Sequence, residues 1–183
     1  MMLTKISTFL LSVLMGVVMG KRSNKPRVER DFYPTPYEAV VPLFPHLGAS
    51  VFFHEPCFGE GDLARSLESY GHRNKGQGDI AWGEDAFKLE KCEGEMFITN
   101  PPYDWKILSP LITHLSDIAP AWLLLPADMM HNKRMAPHIK RCVKIVSVGR
   151  VKWFGNMAGM ENSAWYLFDS NFTNDTVFFG RLT

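Results

Sequence analysis

Apolar residues along this chain follow two spacings. Short apolar runs rich in β-branched and aromatic residues occur at 50–55, 96–99, 121–125 and 142–148. Between them, Leu63, Ala64, Leu67 and Tyr70 recur at three to four residues, as do the apolar positions of 105–118. Runs bounded by Gly, Pro and Asn predict buried strands, and the wider spacing predicts helices. Gly71 closes the first of these helices. Further helices are expected over 37–44, limited by Pro42 and Pro45, and over 129–139. Two aromatic runs, 150–154 and 163–168, flank the glycine-containing loop 155–159 and predict a hairpin. The segment 72–79 is read as a second strand, although its residues mark it poorly. Strands separated by helices imply an α/β fold with a mostly parallel sheet, helices on both faces and an antiparallel hairpin at one edge.

Two of the predicted strands run into loops with chemical character. The strand at 50–55 ends in Glu55-Pro56-Cys57-Phe58-Gly59-Glu60-Gly61-Asp62, and a helix follows. Strand, glycine turn and helix form the nucleotide-cofactor arrangement of α/β folds, in which Gly59 and Gly61 permit close backbone approach. The stretch is neither the six-residue dinucleotide fingerprint nor a phosphate loop, so a cofactor with no phosphate to cradle fits better. Glu55 at the strand end suits an ammonium group, and Asp79 suits ribose hydroxyls, by analogy with dinucleotide sites. Asp85, followed by Ala86 and Phe87, is placed to meet an adenine amine and ring.

The strand at 96–99 ends in Asn100-Pro101-Pro102-Tyr103. Two consecutive prolines set φ and remove two donors, leaving the carbonyls of Asn100 and Pro101 as acceptors. With the ring of Tyr103 beside them, these acceptors suit a planar group bearing an amine. Trp153 or Phe154, near the 155–159 loop, could supply a second stacking face.

Composition narrows the setting. The chain has 183 residues, 46% hydrophobic and 21% charged, enough for one globular domain. The formal net charge is only +1, but the basic residues are clustered. Lys21, Arg22, Lys25, Arg27 and Arg30 form one set, and Lys133, Arg134, Lys140, Arg141, Lys144, Arg150 and Lys152 another. Both sets are candidate phosphate contacts. Cys57, Cys92 and Cys142 have no metal-ligand spacing and read as reduced thiols in a cytoplasm. No metal is expected. Residues 1–18 are an apolar extension, too short to span a bilayer comfortably. They are read as a misassigned start before Met19, with a membrane anchor as the second reading. Residues 19–31 are read as a basic flexible arm, and 32–183 as a single domain.

Together, Phe32-Tyr33-Pro34-Thr35-Pro36, the glycine loop and Asn-Pro-Pro-Tyr resemble the S-adenosylmethionine-dependent amino methyltransferases, most closely the small phage-type DNA adenine-N6 enzymes. The resemblance covers about residues 30–170 and implies a Rossmann-like methyltransferase fold. By that resemblance, Tyr33, Pro34, Thr35 and Pro36 flank the methionine part of S-adenosylmethionine. Glu55, Phe58, Gly59 and Gly61 form its glycine loop, and Asp79 and Asp85 contact its ribose and adenine. Asn100, Pro101, Pro102 and Tyr103 are then catalytic, with Tyr103 and Trp153 or Phe154 stacking on the target base. The implied partner is DNA, either single-stranded or double-stranded with a flipped adenine. The short interval between the two loops leaves no room for a large recognition region, so weak sequence specificity is expected. Two alternatives stay open: a methyltransferase acting on an RNA base amine or a protein glutamine amide, and a non-catalytic nucleic-acid-binding module.

Overall fold

A computed structural model of the chain describes residues 34–153 and 161–181. Among the described residues the chain forms a seven-stranded sheet in the order β2-β1-β3-β4-β6-β5-β7. The strands are β1 (Phe52–Glu55), β2 (Arg73–Gln77), β3 (Met96–Thr99), β4 (Ala121–Pro126), β5 (Cys142–Arg150), β6 (Asn162–Phe168) and β7 (Val177–Phe179). All run parallel except β6, which is antiparallel to both of its neighbours, β4 and β5. The mostly parallel α/β fold is therefore as the sequence implies.

The period-two pattern of each strand divides the core between two faces. On β4, Trp122 and Leu124 join one apolar cluster while Ala121, Leu123 and Leu125 join the other. β6 divides in the same way, with Trp165 opposite Ala164, Tyr166 and Phe168. Helices α1 (Tyr37–Val40) and α2 (Asp62–Ser69) cover the first face through Ala39, Val40, Leu63 and Leu67. Helix α3 (Trp105–Ile118) covers the second through Leu108, Leu111, Ile112 and Leu115. A strand buried on both sides needs apolar residues at every position, and this is why 121–125 is one unbroken run.

Several expected elements differ from what forms. The helix expected over 37–44 is one turn of α1 and then a 3-10 segment, Val41–His46, because Pro42 and Pro45 lack the N–H groups that an α-helix bonds. The helix expected over 129–139 breaks into two 3-10 turns, Ala127–His131 and Lys133–Met135, before the single turn of α4 (Ala136–Ile139). Asn132 causes the break. Its backbone is extended, and its side chain accepts from Arg134 N, restarting the turn. Of the run 150–154, residues 151–153 are not strand and Phe154 lies outside the described residues; the hairpin partner of β6 is β5, with Gly149 opposite Ser163. β7, the three-residue run Val177–Phe179, is not among the expected elements and forms a short edge strand on β5.

β2 is also an edge strand, with alternately exposed and half-buried polar residues, and so carries no apolar signature. Its Gly76 lies against β1, where an added Cβ would sit 2.8 Å from the His54 ring. The N-terminal segment is fastened to the sheet by long-range bonds: Trp165 Nε1 donates to Ala39 O at 2.8 Å, and Lys152 N donates to Glu38 Oε1 at 2.7 Å. Among the described residues no helix is long and apolar enough to cross a membrane. The extension 1–18 and the arm 19–31 lie outside the described residues.

Trp165→Phe keeps the apolar ring but strands the buried carbonyl of Ala39. A loss of about 1–3 kcal/mol is expected in urea unfolding. An unchanged midpoint would show that the bond contributes nothing to anchoring α1.

Candidate functional site

The parallel register pairs Phe53 with Met96 and His54 with Phe97, so β1 and β3 end side by side. The loops after them share one cavity of about 600 Å³ with the loops after β2. Crevices beyond the carboxyl ends of parallel strands are where open α/β sheets bind ligands.

Backbone bonds join the first two loops. Phe58 N donates to Gly78 O at 2.9 Å, and Gly59 N donates to Asp79 Oδ2 at 2.8 Å. The other carboxylate oxygen of Asp79 accepts from Ala81 N at 2.8 Å, and Asp85 Oδ1 accepts from Phe87 N at 3.0 Å. Both aspartates thus also shape the turns that carry them. Gly59 has φ +56° and Gly61 has φ +78°, values that side-chain-bearing residues rarely adopt. A Cβ on Gly61 would lie 2.6 Å from the Phe58 ring, so glycine is also required for space.

Glu55 is 1% exposed, and its Oε2 has no hydrogen-bond partner within the protein. Burial holds its carboxyl well above the usual carboxylate range, and the charges of Asp62 and Asp79 add to the effect. The backbone N–H of Ala64 and the guanidinium of Arg65 oppose it only in part. Burial also pushes the Cys57 thiol up to about 12, so it stays neutral at physiological pH and is no thiolate nucleophile.

In the same cavity, Asn100 is bonded on both sides of its amide. Nδ2 donates to Thr35 Oγ1 at 3.1 Å, and Oδ1 accepts from Tyr103 OH at 3.0 Å. Asp104 caps α3 directly behind this loop, its side chain accepting from Lys106 N at 2.9 Å.

Of the residues proposed from sequence, Pro34, Thr35, Glu55, Phe58, Gly59, Asp79, Asp85, Asn100 and Pro102 line the cavity together. Gly61 instead forms the N-cap of α2, and Pro36, Pro101 and Tyr103 are not part of the lining. Trp153 packs against the apolar cluster of the first face, away from the lining. Tyr33 and Phe154 lie outside the described residues. The structure adds Ile80, Trp82, Ile107 and Leu111 to the wall. Ile80 and Trp82 are 67% and 52% exposed, large apolar side chains in a polar loop just after Asp79. That was the available signal for them.

Six acidic residues, Glu55, Glu60, Asp62, Asp79, Glu84 and Asp85, line the cavity, and among the described residues no Lys, Arg or His is part of the lining, although Asp62 is paired with Arg65 at 2.7 Å. A cleft with one sign of charge concentrates the opposite sign. Phosphate-bearing cofactors are disfavoured here, and a cationic one is favoured. Basic residues are distributed differently. Lys133, Arg134, Arg150 and Lys152 are exposed beyond the carboxyl ends of β4 and β5, on the same edge as Asn100. Lys140, Arg141 and Lys144 fall at the opposite edge, where β5 begins, and Arg141 is bound to Asp117 at 2.6 Å. The second basic set expected from sequence is thus split by the fold. Among the described residues no group of three or more His, Cys, Asp and Glu side chains is placed to hold a metal ion.

Neither protein-family models nor curated proteins match the chain. Solved structures do. A candidate RNA methyltransferase from Pyrococcus horikoshii aligns with TM-score 0.51 and 13% identity, over 81% of this chain and 91% of that one. A Thermoplasma acidophilum protein aligns with TM-score 0.53 and 14% identity, over 73% and 84% of the two chains. The M protein of the type I restriction enzyme EcoKI aligns with TM-score 0.52 and 10% identity, over 84% of this chain and 48% of its own. At these identities the likeness is one of fold, and that fold is the Rossmann-like methyltransferase fold.

A carboxyl whose pKa rises on folding stabilises the protein where it is protonated. That contribution is complete below the ordinary carboxylate pKa and is lost as pH rises through the raised value. Glu55→Gln cannot ionise, so it is expected to raise the Tm of ligand-free protein at about pH 8 by roughly 2–6 °C, with a smaller gap near pH 5. A gap that widened on acidification would show that Glu55 is not held above its ordinary pKa.

Proposed function

We propose that this protein transfers a methyl group from S-adenosylmethionine to the exocyclic N6 amine of adenine in DNA. The observation that carries the reading is the single cavity that joins the unpartnered Glu55 oxygen to the doubly bonded Asn100 amide. Its residues fit that cofactor: a buried carboxylate suits an ammonium group, the acidic wall suits net positive charge, and among the described residues no basic side chain lines the cavity to meet a phosphate. S-adenosylmethionine supplies an electrophilic methyl on a sulfonium sulfur.

Each part of the chain then has a task. Glu55 binds the ammonium group, which favours the carboxylate that the empty protein disfavours. Asp79 and Asp85 serve the ribose and the adenine amine, with Phe58, Gly59 and Gly61 allowing close approach and Ile80 and Trp82 covering the ring. Pro34 and Pro36 flank the methionine part. At the acceptor end, adenine's amine is a poor nucleophile because its lone pair is delocalised into the ring. Asn100 Oδ1 and the Pro101 carbonyl accept its two hydrogens and localise that pair on nitrogen, while Pro102 keeps the loop stiff. Tyr103 stacks on the extruded base, whereas Trp153, packed on the core of the first face, is given no such task. Direct displacement needs no cysteine adduct, consistent with the neutral Cys57 thiol. Orientation and fixed dipoles supply the acceleration. The exposed basic residues beyond β4 and β5 favour a polyanionic acceptor.

The test uses the full chain with labelled S-adenosylmethionine and, in separate reactions, DNA, RNA and protein, followed by mass spectrometry of the digested acceptor. N6-methyladenine in DNA is expected, with a rate lower by about 100-fold or more in Asn100→Ala. Equal rates in the two proteins would remove Asn100 from the reaction, and methyl groups on RNA or on glutamine instead of DNA would change the acceptor.

A further inference from the structure

Thr35 is separated from Asn100 by 65 positions, yet its hydroxyl meets the Asn100 amide nitrogen at 3.1 Å. It is 5% exposed and forms part of the cavity wall. The segment that carries it is secured by the Trp165 and Lys152 bonds to α1, so its position is set by the sheet.

A primary amide has two ends of nearly the same shape, and only its partners distinguish oxygen from nitrogen. The two hydroxyls around Asn100 differ in chemistry. A phenol is a good donor and a poor acceptor, because its oxygen lone pair is shared with the ring, whereas an aliphatic hydroxyl accepts readily. Thr35 therefore favours the nitrogen end and Tyr103 the oxygen end, which is the arrangement found. A carbonyl oxygen has two lone pairs, so the bond from Tyr103 does not by itself prevent Oδ1 from accepting from a substrate amine. In the reversed orientation the NH2 group would face that amine, donor against donor.

We propose that Thr35 is a positioning residue, which selects the orientation of the Asn100 amide, and that it does not act chiefly through the cofactor. The proposal rests on the reading of Asn100 as the acceptor of the substrate amine. Thr35→Val preserves shape and removes the acceptor, and Thr35→Ser preserves the acceptor. Losing one net hydrogen bond from the reacting arrangement lowers kcat about tenfold.

The experiment measures kcat and acceptor KM at saturating S-adenosylmethionine, cofactor Kd by calorimetry, and the side-chain amide resonances of Asn100 by NMR in the cofactor-free protein. Thr35→Val is expected to lower kcat about tenfold, to leave KM and Kd within about threefold, and to speed solvent exchange of the Asn100 amide protons. Thr35→Ser is expected to restore all of these. Weaker cofactor binding with unchanged kcat would make Thr35 a cofactor contact and overturn the proposal while leaving the methyl-transfer reading intact. Unaltered Asn100 amide exchange in Thr35→Val would overturn it even in a protein with no measurable turnover. Wild-type protein that transfers no methyl group to DNA, RNA or protein would overturn the underlying reading, and Thr35 with it.

Discussion

The parallel register of β1 on β3 is the constraint on which the site depends. Because His54 lies opposite Phe97, both strands deliver their final residues to the same edge of the sheet. Glu55 and Asn100 then belong to one cavity. A parallel strand slipped by one residue would turn its apolar side chains to the wrong face, so the core that fixes the register also fixes the site. The apolar side chains of Phe53, Phe97 and Ile98, each 0% exposed, therefore hold the geometry of residues they need not touch.

The cavity is electrostatically unfinished. Six acidic side chains line it, of which Asp62 is paired with Arg65 at 2.7 Å, and one oxygen of Glu55 is buried without a partner among the described residues. An unpaired buried oxygen costs stability, on the order of 1–3 kcal/mol. The same edge of the sheet carries exposed basic residues beyond β4 and β5. Acidic groups by the loops after β1 and β2 and basic groups by the segments after β4 and β5 divide this edge by sign of charge. Neither the net charge of +1 nor the basic runs disclosed this division, because the strand direction decides which end of the sheet each residue occupies.

Glycine and proline divide the labour in the loops. Gly59 and Gly61 adopt positive φ, and Gly61 also yields space to Phe58, so the first loop folds tightly and its N–H groups bond the second. Pro101 and Pro102 act the other way, stiffening the third loop and removing donors next to the Asn100 acceptor. Side-chain caps complete the frame: Asp79, Asp85 and Asp104 each accept from a backbone N–H two residues later. Most of the site is therefore positioned by local chemistry.

By itself the sequence determined what depends on neighbours in the chain. The period-two and three-to-four patterns located β1, β3, β4, β5, β6, α2 and α3, and the glycine and proline motifs located the two main loops, since φ preferences and lost donors act within a few residues. Tertiary structure decided the rest. β2, read at 72–79, is poorly marked because an edge strand of polar residues leaves little apolar pattern, and β7, Val177-Phe178-Phe179, is too short a run to show a period. The partner of β6, the division of the basic residues and the bond from Thr35 to Asn100 all require residues far apart in the chain to meet. Such meetings are settled by strand pairing and core packing, which no local spacing records.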